Sequence, residues 1–253
     1  MSESQPFLFF IAGVFMLAGF VKGVVGLGLP TVAMGLLAVT MAPSKALAIV
    51  IVPAVLTNVW QTLVGPYLPD IMRRLWPLLV GTVLGIWLNA GSLTGPYAHY
   101  LPVALGVLLV FYAALGMSQV AFTVARRDEK WIGGVVGVVT GVISAATGVQ
   151  VIPSMPFLQA IGMEKDELVQ ALGVFFTVAT LALGFTLTRS GLVNSATALP
   201  GAVAMASSFA GVFLGQAVRS RMDAERFRRW FLIAMIFLGL YLAGTAIYKI
   251  YLA

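Results

Sequence analysis

The sequence predicts an all-α polytopic membrane protein, and three observations carry that expectation. Of its 253 residues, 60% are hydrophobic and only 9% are charged, against about half and a quarter in an average soluble domain. Apolar runs of about 18 residues or more recur, long enough to cross a hydrocarbon core of about 30 Å. None of them alternates with the two-residue period of a membrane β-strand.

Eight apolar segments follow in order: 7–41, 43–64, 75–91, 99–121, 132–161, 168–188, 192–216 and 230–252. The first reads FVKGVVGLGLPTVAMGLLA near its middle, where Gly26, Gly28 and Pro30 interrupt the helical pattern. The fifth reads TGVISAATGVQVIPSMPFLQA and is broken by Ser144, Thr147, Gly148, Gln150 and Pro153. Gly28 and Gly148 lie 120 residues apart, so each half starts with a broken segment and continues with three whole ones. This organisation gives two repeats, 1–121 and 132–253, joined by a linker over 122–131. Interrupted segments in matching positions of two halves point to a transporter's binding site. Gly13, Gly133, Gly81 and Gly201 also coincide at that offset, but glycines of this kind are expected to serve close helix packing.

Basic residues orient the chain. Arg73 and Arg74 fall in 65–75, Arg126, Arg127 and Lys130 in 122–131, and Arg219, Arg221, Arg226, Arg228 and Arg229 in 217–230. Cytoplasmic loops attract such residues, so all three belong on one side. Three full crossings between the second and third clusters would put them on opposite sides. The conflict disappears if 132–161 dips in and returns; its arms of about 15 and 14 residues would each span only some 21–22 Å. Treated alike, 7–41 makes the halves inverted repeats, each a re-entrant broken helix followed by three spans. Eight full spans with parallel repeats remain the alternative. Residues 1–6 lack the positive region of a signal peptide, so the first segment is expected to be retained.

The nine acidic residues all fall in loops or at segment ends, which leaves no carboxylate at depth for a cation site. Lys22 is the one clear charge inside a segment, and such a charge is a functional candidate by default. At each break, free backbone N–H groups at a restarting helix favour an anion. The candidate substrate contacts are therefore Lys22, Gly26, Gly28, Ser144, Thr147, Gly148 and Gln150, with Thr57, Asn58, Gln61 and Thr177 on neighbouring spans. Trp60, Phe157, Phe175 and Phe176 are available to line an apolar part, although ordinary packing explains these phenylalanines equally well. Enzymatic readings fare poorly: the chain has no cysteine, one histidine (His99), no H-E-x-x-H and no G-x-S-x-G. No metal or cofactor is expected, and the charge of +6 reflects basic loops rather than nucleic-acid binding.

The stretches GVVGLGLPTVAMGLLAVTMAPSKALAIVIVPAV and GVISAATGVQVIPSMPFLQAIGMEKDELVQALGVFF resemble the TauE/SafE family of sulfite and organosulfonate transporters. Both follow that family's pattern of glycine-rich break, proline, apolar stretch, short loop and a helix starting near a lysine. Leu27, Leu29 and the early Pro30 depart from it in the first half. The resemblance implies a multi-pass protein of the bacterial inner membrane. What it also implies is export of sulfite or sulfonates such as sulfoacetate or sulfolactate, or, as in some members, uptake of an aromatic sulfonate such as 4-toluenesulfonate. The expected mechanism is alternating access, with the two break tips meeting near the bilayer midplane around the anion. A passive anion channel, a non-transporting membrane subunit and a homodimeric assembly stay open.

Overall fold

Leucine, alanine and valine dominate the long apolar stretches, and in the computed structural model these are helical. The structure describes residues 5–26, 28–92, 95–118, 123–192, 197–219 and 223–251; Leu27 and Arg221 lie outside them. Among the described residues there is no strand. The helices are α1 (Gln5–Val25), α2 (Leu29–Leu37), α3 (Pro43–Leu63), α4 (Leu68–Leu88), α5 (Leu101–Met117), α6 (Glu129–Thr147), α7 (Ser154–Ala160), α8 (Lys165–Arg189), α9 (Ala198–Arg219) and α10 (Ala224–Tyr251). All but α2 and α7 are long and apolar enough to cross a membrane. Pro30, Pro43, Pro69 and Pro102 stand in first turns, where the missing N–H has no helical partner to lose.

The two broken segments resolve into α1–α2 and α6–α7. Each first arm ends at a left-handed glycine, Gly26 (φ 88°) and Gly148 (φ 73°). Their N–H groups bond back to Lys22 O and Ser144 O, an αL helix stop. The first arms are longer than the sequence suggested, 21 and 19 residues, or about 31 and 28 Å. They are long enough to span, while α2 and α7 have 9 and 7 residues. Ser144 and Thr147, read as part of the break, are helical, and their hydroxyls are satisfied within the helix by Thr140 O and Ile143 O four residues back. Helix α4 likewise starts at Leu68 rather than near 75. Pro69 and Asp70 suit a first turn, and Arg73 and Arg74 therefore ride on a helix instead of a loop.

Named contacts fix the helix directions. Lys22 meets Thr57 and Asn58, and Gln61 meets Gly26 O. Helices α1 and α3 thus run the same way, and α2 is the return between them. In the second half Arg74 marks the same geometry. Its Nε and Nη2 donate to the Glu129 carboxylate at 2.9 and 2.7 Å. Its Nη2 also donates to Ile161 O at 2.6 Å, and Nη1 lies 3.8 Å from Glu167. The start of α6, the end of α7 and the start of α8 share one level, so α6–α7 is a hairpin.

Glycine pairs let the main interfaces close. Helix α1 packs parallel to α9 through Gly19 and Gly23 against Gly211 and Gly215, and α4 packs parallel to α6 through Gly81 and Gly85 against Gly137 and Gly141. A Cβ at any of the eight would collide with the facing backbone, the close approach that small-xxx-small spacing permits. Helices α3 and α8 pack antiparallel, Ile51 beside Gly184 and Gln61 beside Gly173; α5 and α10 do likewise, Gly106 on Gly239 and Gly116 on Leu232. Gln170 pins the α3–α4 turn to α8. Its Nε2 donates to Thr62 O and Gly65 O, and its Oε1 accepts from Tyr67 N–H.

One sequence expectation changes here. Gly81 and Gly133 pack as expected, but Gly13 and Gly201 face open space. The ends of α1 and α6 (Val25, Thr147) lie 122 residues apart, as do the starts of α3 and α8 (Pro43, Lys165). Gly26 therefore matches Gly148, and Lys22 stands where the second half has Ser144.

Candidate functional site

Lys22 is the fourth residue before the glycine that stops α1, and it is buried. Because α1 and α3 run side by side in the same sense, its Nζ reaches two neutral oxygens on α3. It donates to Thr57 Oγ1 at 3.1 Å and to Asn58 Oδ1. Thr57 Oγ1 itself donates to Pro53 O at 2.8 Å, so its lone pair is the part that meets the lysine. An ammonium has three donors, which leaves one for a ligand. Asn58 Nδ2 is buried and has no hydrogen-bond partner, an orphan donor of the kind native structures rarely keep.

A cavity of about 150 Å³ opens over this group. Lys22, Gly26, Thr57 and Gln61 form its polar floor, and Trp60, Phe209, Val212 and Phe213 form an apolar wall. Gln216 and Arg219, both exposed, stand at its mouth. Gln61 holds the floor together, its Nε2 donating to Val169 O at 2.8 Å and to Gly26 O at 3.4 Å. An engineered cavity of about 150 Å³ holds benzene, so a solute no larger than that, a small oxyanion included, is of the right size. No acidic side chain among the described residues lines this cavity. No group of three or more His, Cys, Asp or Glu suited to a metal occurs among them either.

The remaining candidates lie elsewhere. Gly28 (φ 102°) caps α2 beside Val21 and Phe231. Ser144 and Thr147 spend their hydroxyls on α6 and the loop after it. Gly148 packs on Met34 and Leu47, ten residues along α3 from Thr57 and hence about 15 Å away. The two tips therefore do not meet. Gln150 Oε1 accepts from Thr180 at 3.2 Å, and Thr177 shares a hydrogen bond with Thr62 at 3.0 Å. Phe157, Phe175 and Phe176 are core residues, whereas Trp60 is 56% exposed along the cavity wall.

Sequence reasoning missed the α9 contribution of Phe209, Phe213, Gln216 and Arg219, which comes from the other half of the chain. The signal that could have found it is the matched spacing of Gly19–Gly23 and Gly211–Gly215.

A family model described as Sulfite exporter TauE/SafE matches residues 11–242, nearly the whole chain. No curated protein and no solved structure matches it.

Proposed function

We propose, because the chain belongs to the sulfite exporter TauE/SafE family of membrane transporters, that the Lys22 cavity is where this multi-pass protein holds its sulfur anion. The observation that carries the reading is a buried ammonium satisfied on one side by Thr57 and Asn58 and open on the other to a cavity free of acids. A sulfite or sulfonate head would accept the remaining donor of Lys22, since Gln61 has already spent both Nε2 donors on Val169 O and Gly26 O. An organic tail, aliphatic or aromatic as in 4-toluenesulfonate, would lie along Trp60, Phe209 and Phe213. Thr57 is four residues past the middle of α3, so the head sits about 6 Å to one side of the midplane.

That side is the cytoplasm in our orientation. Helix directions bring Arg73, Arg74, Arg126, Arg127 and Arg219 to one end of the bundle, as the distribution of basic residues in inner-membrane proteins requires. With α1–α2 and α6–α7 as re-entrant hairpins, the repeats 1–121 and 132–253 are inverted, a reading supported by the antiparallel α3–α8 and α5–α10 pairs. The cavity then faces inward. At the outer end α4 is tied to α6 by Asn89 Nδ2 donating to Val142 O at 2.9 Å and Ser92 Oγ donating to Ala145 O at 3.3 Å. Alternating access would require the inner mouth to close and a path to open at the outer end. A membrane potential negative inside favours outward movement of a monovalent anion by about 2.3 kcal/mol per 100 mV when it crosses without a counter-ion.

The test is a thermal-shift screen of the purified protein with sulfite, small sulfonates, 4-toluenesulfonate and acetate. Stabilisation by the sulfur anions and not by acetate is expected; no shift with any of them would refute the assignment. Liposome flux then separates a carrier from a channel, since a carrier saturates with substrate and turns over slowly.

A further inference from the structure

Lys22 lacks something that a freely cycling carrier needs. Its two partners, Thr57 Oγ1 and Asn58 Oδ1, are neutral. No acidic side chain among the described residues lines its cavity: α1, α3 and α9 contain none, and on α8 Asp166 is exposed and Glu167 lies 3.8 Å from Arg74 while Val169 lines the cavity. The second cation of the cavity, Arg219, stands at the mouth. When the site is sealed for passage across the membrane, water leaves it, and an ammonium without a counter-charge is costly to enclose. A bound monovalent anion removes that cost. Loaded, the sealed site is neutral; empty, it carries one positive charge.

Resting on the substrate site proposed above, we propose that the protein is an anion exchanger in which a second anion must occupy Lys22 on the return leg. The counter-substrate is any small monovalent oxyanion that fits the same cavity, a second copy of the substrate included. The loaded legs move no net charge, so membrane potential acts only on the rare empty return. The charge balance closes while Lys22 is protonated: one anion leaves and one enters.

The experiment uses the full chain in liposomes loaded with radiolabelled sulfonate, chosen as whichever sulfur anion gives the larger thermal shift. Efflux is followed into buffer with and without the same unlabelled anion, with potential clamped by potassium and valinomycin. Efflux is expected to rise about tenfold or more with anion outside, the effect of a modest difference in barrier between the two legs. Exchange should be indifferent to the imposed potential. Asn58→Asp places a carboxylate beside Lys22 with nearly unchanged shape, so its stimulation ratio should collapse toward one. Equal efflux with and without outside anion, whether or not it follows a pH gradient, overturns exchange. So does a stimulation ratio in Asn58→Asp equal to that of the parent protein. Absence of binding in the prior thermal-shift step overturns the substrate site instead, so the two failures are distinguishable.

Discussion

Replacing Lys22 by glutamine keeps most of the side chain and removes its charge. Hydrogen bonds to charged groups contribute about 1.5–3 kcal/mol, so sulfite or sulfonate affinity should fall roughly 10- to 150-fold in calorimetric titration. Thr177→Val tests the boundary of the site. Its hydroxyl is spent on Thr62, outside the cavity, so the variant should bind as the parent does; a loss as large as that of Lys22→Gln would move the site toward the second half. Lys22 was legible in the sequence because a lone charge in an apolar segment stands out by type. Its usefulness depends on the register of α1 against α3, which brings it to Thr57 and Asn58. Phe209 and Arg219 were not legible, because nothing in their own segment distinguishes them from ordinary wall and end residues.

Helices in this molecule are held together by glycine contacts that tolerate no added atom. Gly85→Leu would drive a branched side chain into Val138 O and Gly141. Overpacking of this kind costs about 1–3 kcal/mol or more, and a lowered detergent melting temperature should report it. Gly13→Leu faces open space and should melt like the parent. Arg74 is the corresponding polar fastening of the second hairpin. Arg74→Ala deprives Glu129 and Ile161 O of their shared donor, and faster hydrogen exchange confined to α7 and the start of α8 should follow. Unchanged exchange there would mean that the hairpin is held by packing alone. The breaks themselves were visible as glycine and proline, but their edges were not. Ser144 and Thr147 look like loop residues by type, but their hydroxyls turn back to Thr140 O and Ile143 O and the helix runs on to the stop at Gly148.

For the whole molecule, composition alone gave the membrane class, and the basic clusters gave an arrangement that agrees with the helix directions. The pairing of α1 with α9 and of α4 with α6 could not be read, since it joins residues nearly 200 positions apart for Gly19 and Gly211. Everything about the site depends on each broken segment turning back rather than crossing. Because the chain contains no cysteine, single exposed thiols placed at Thr40, after α2, and at Glu164, after α7, can be labelled without background. A membrane-impermeant maleimide applied to intact and to opened cells measures which face each occupies. Two hairpins entering from opposite sides predict Thr40→Cys labelled from outside and Glu164→Cys only from the cytoplasm; both thiols labelled from the same face would contradict the account.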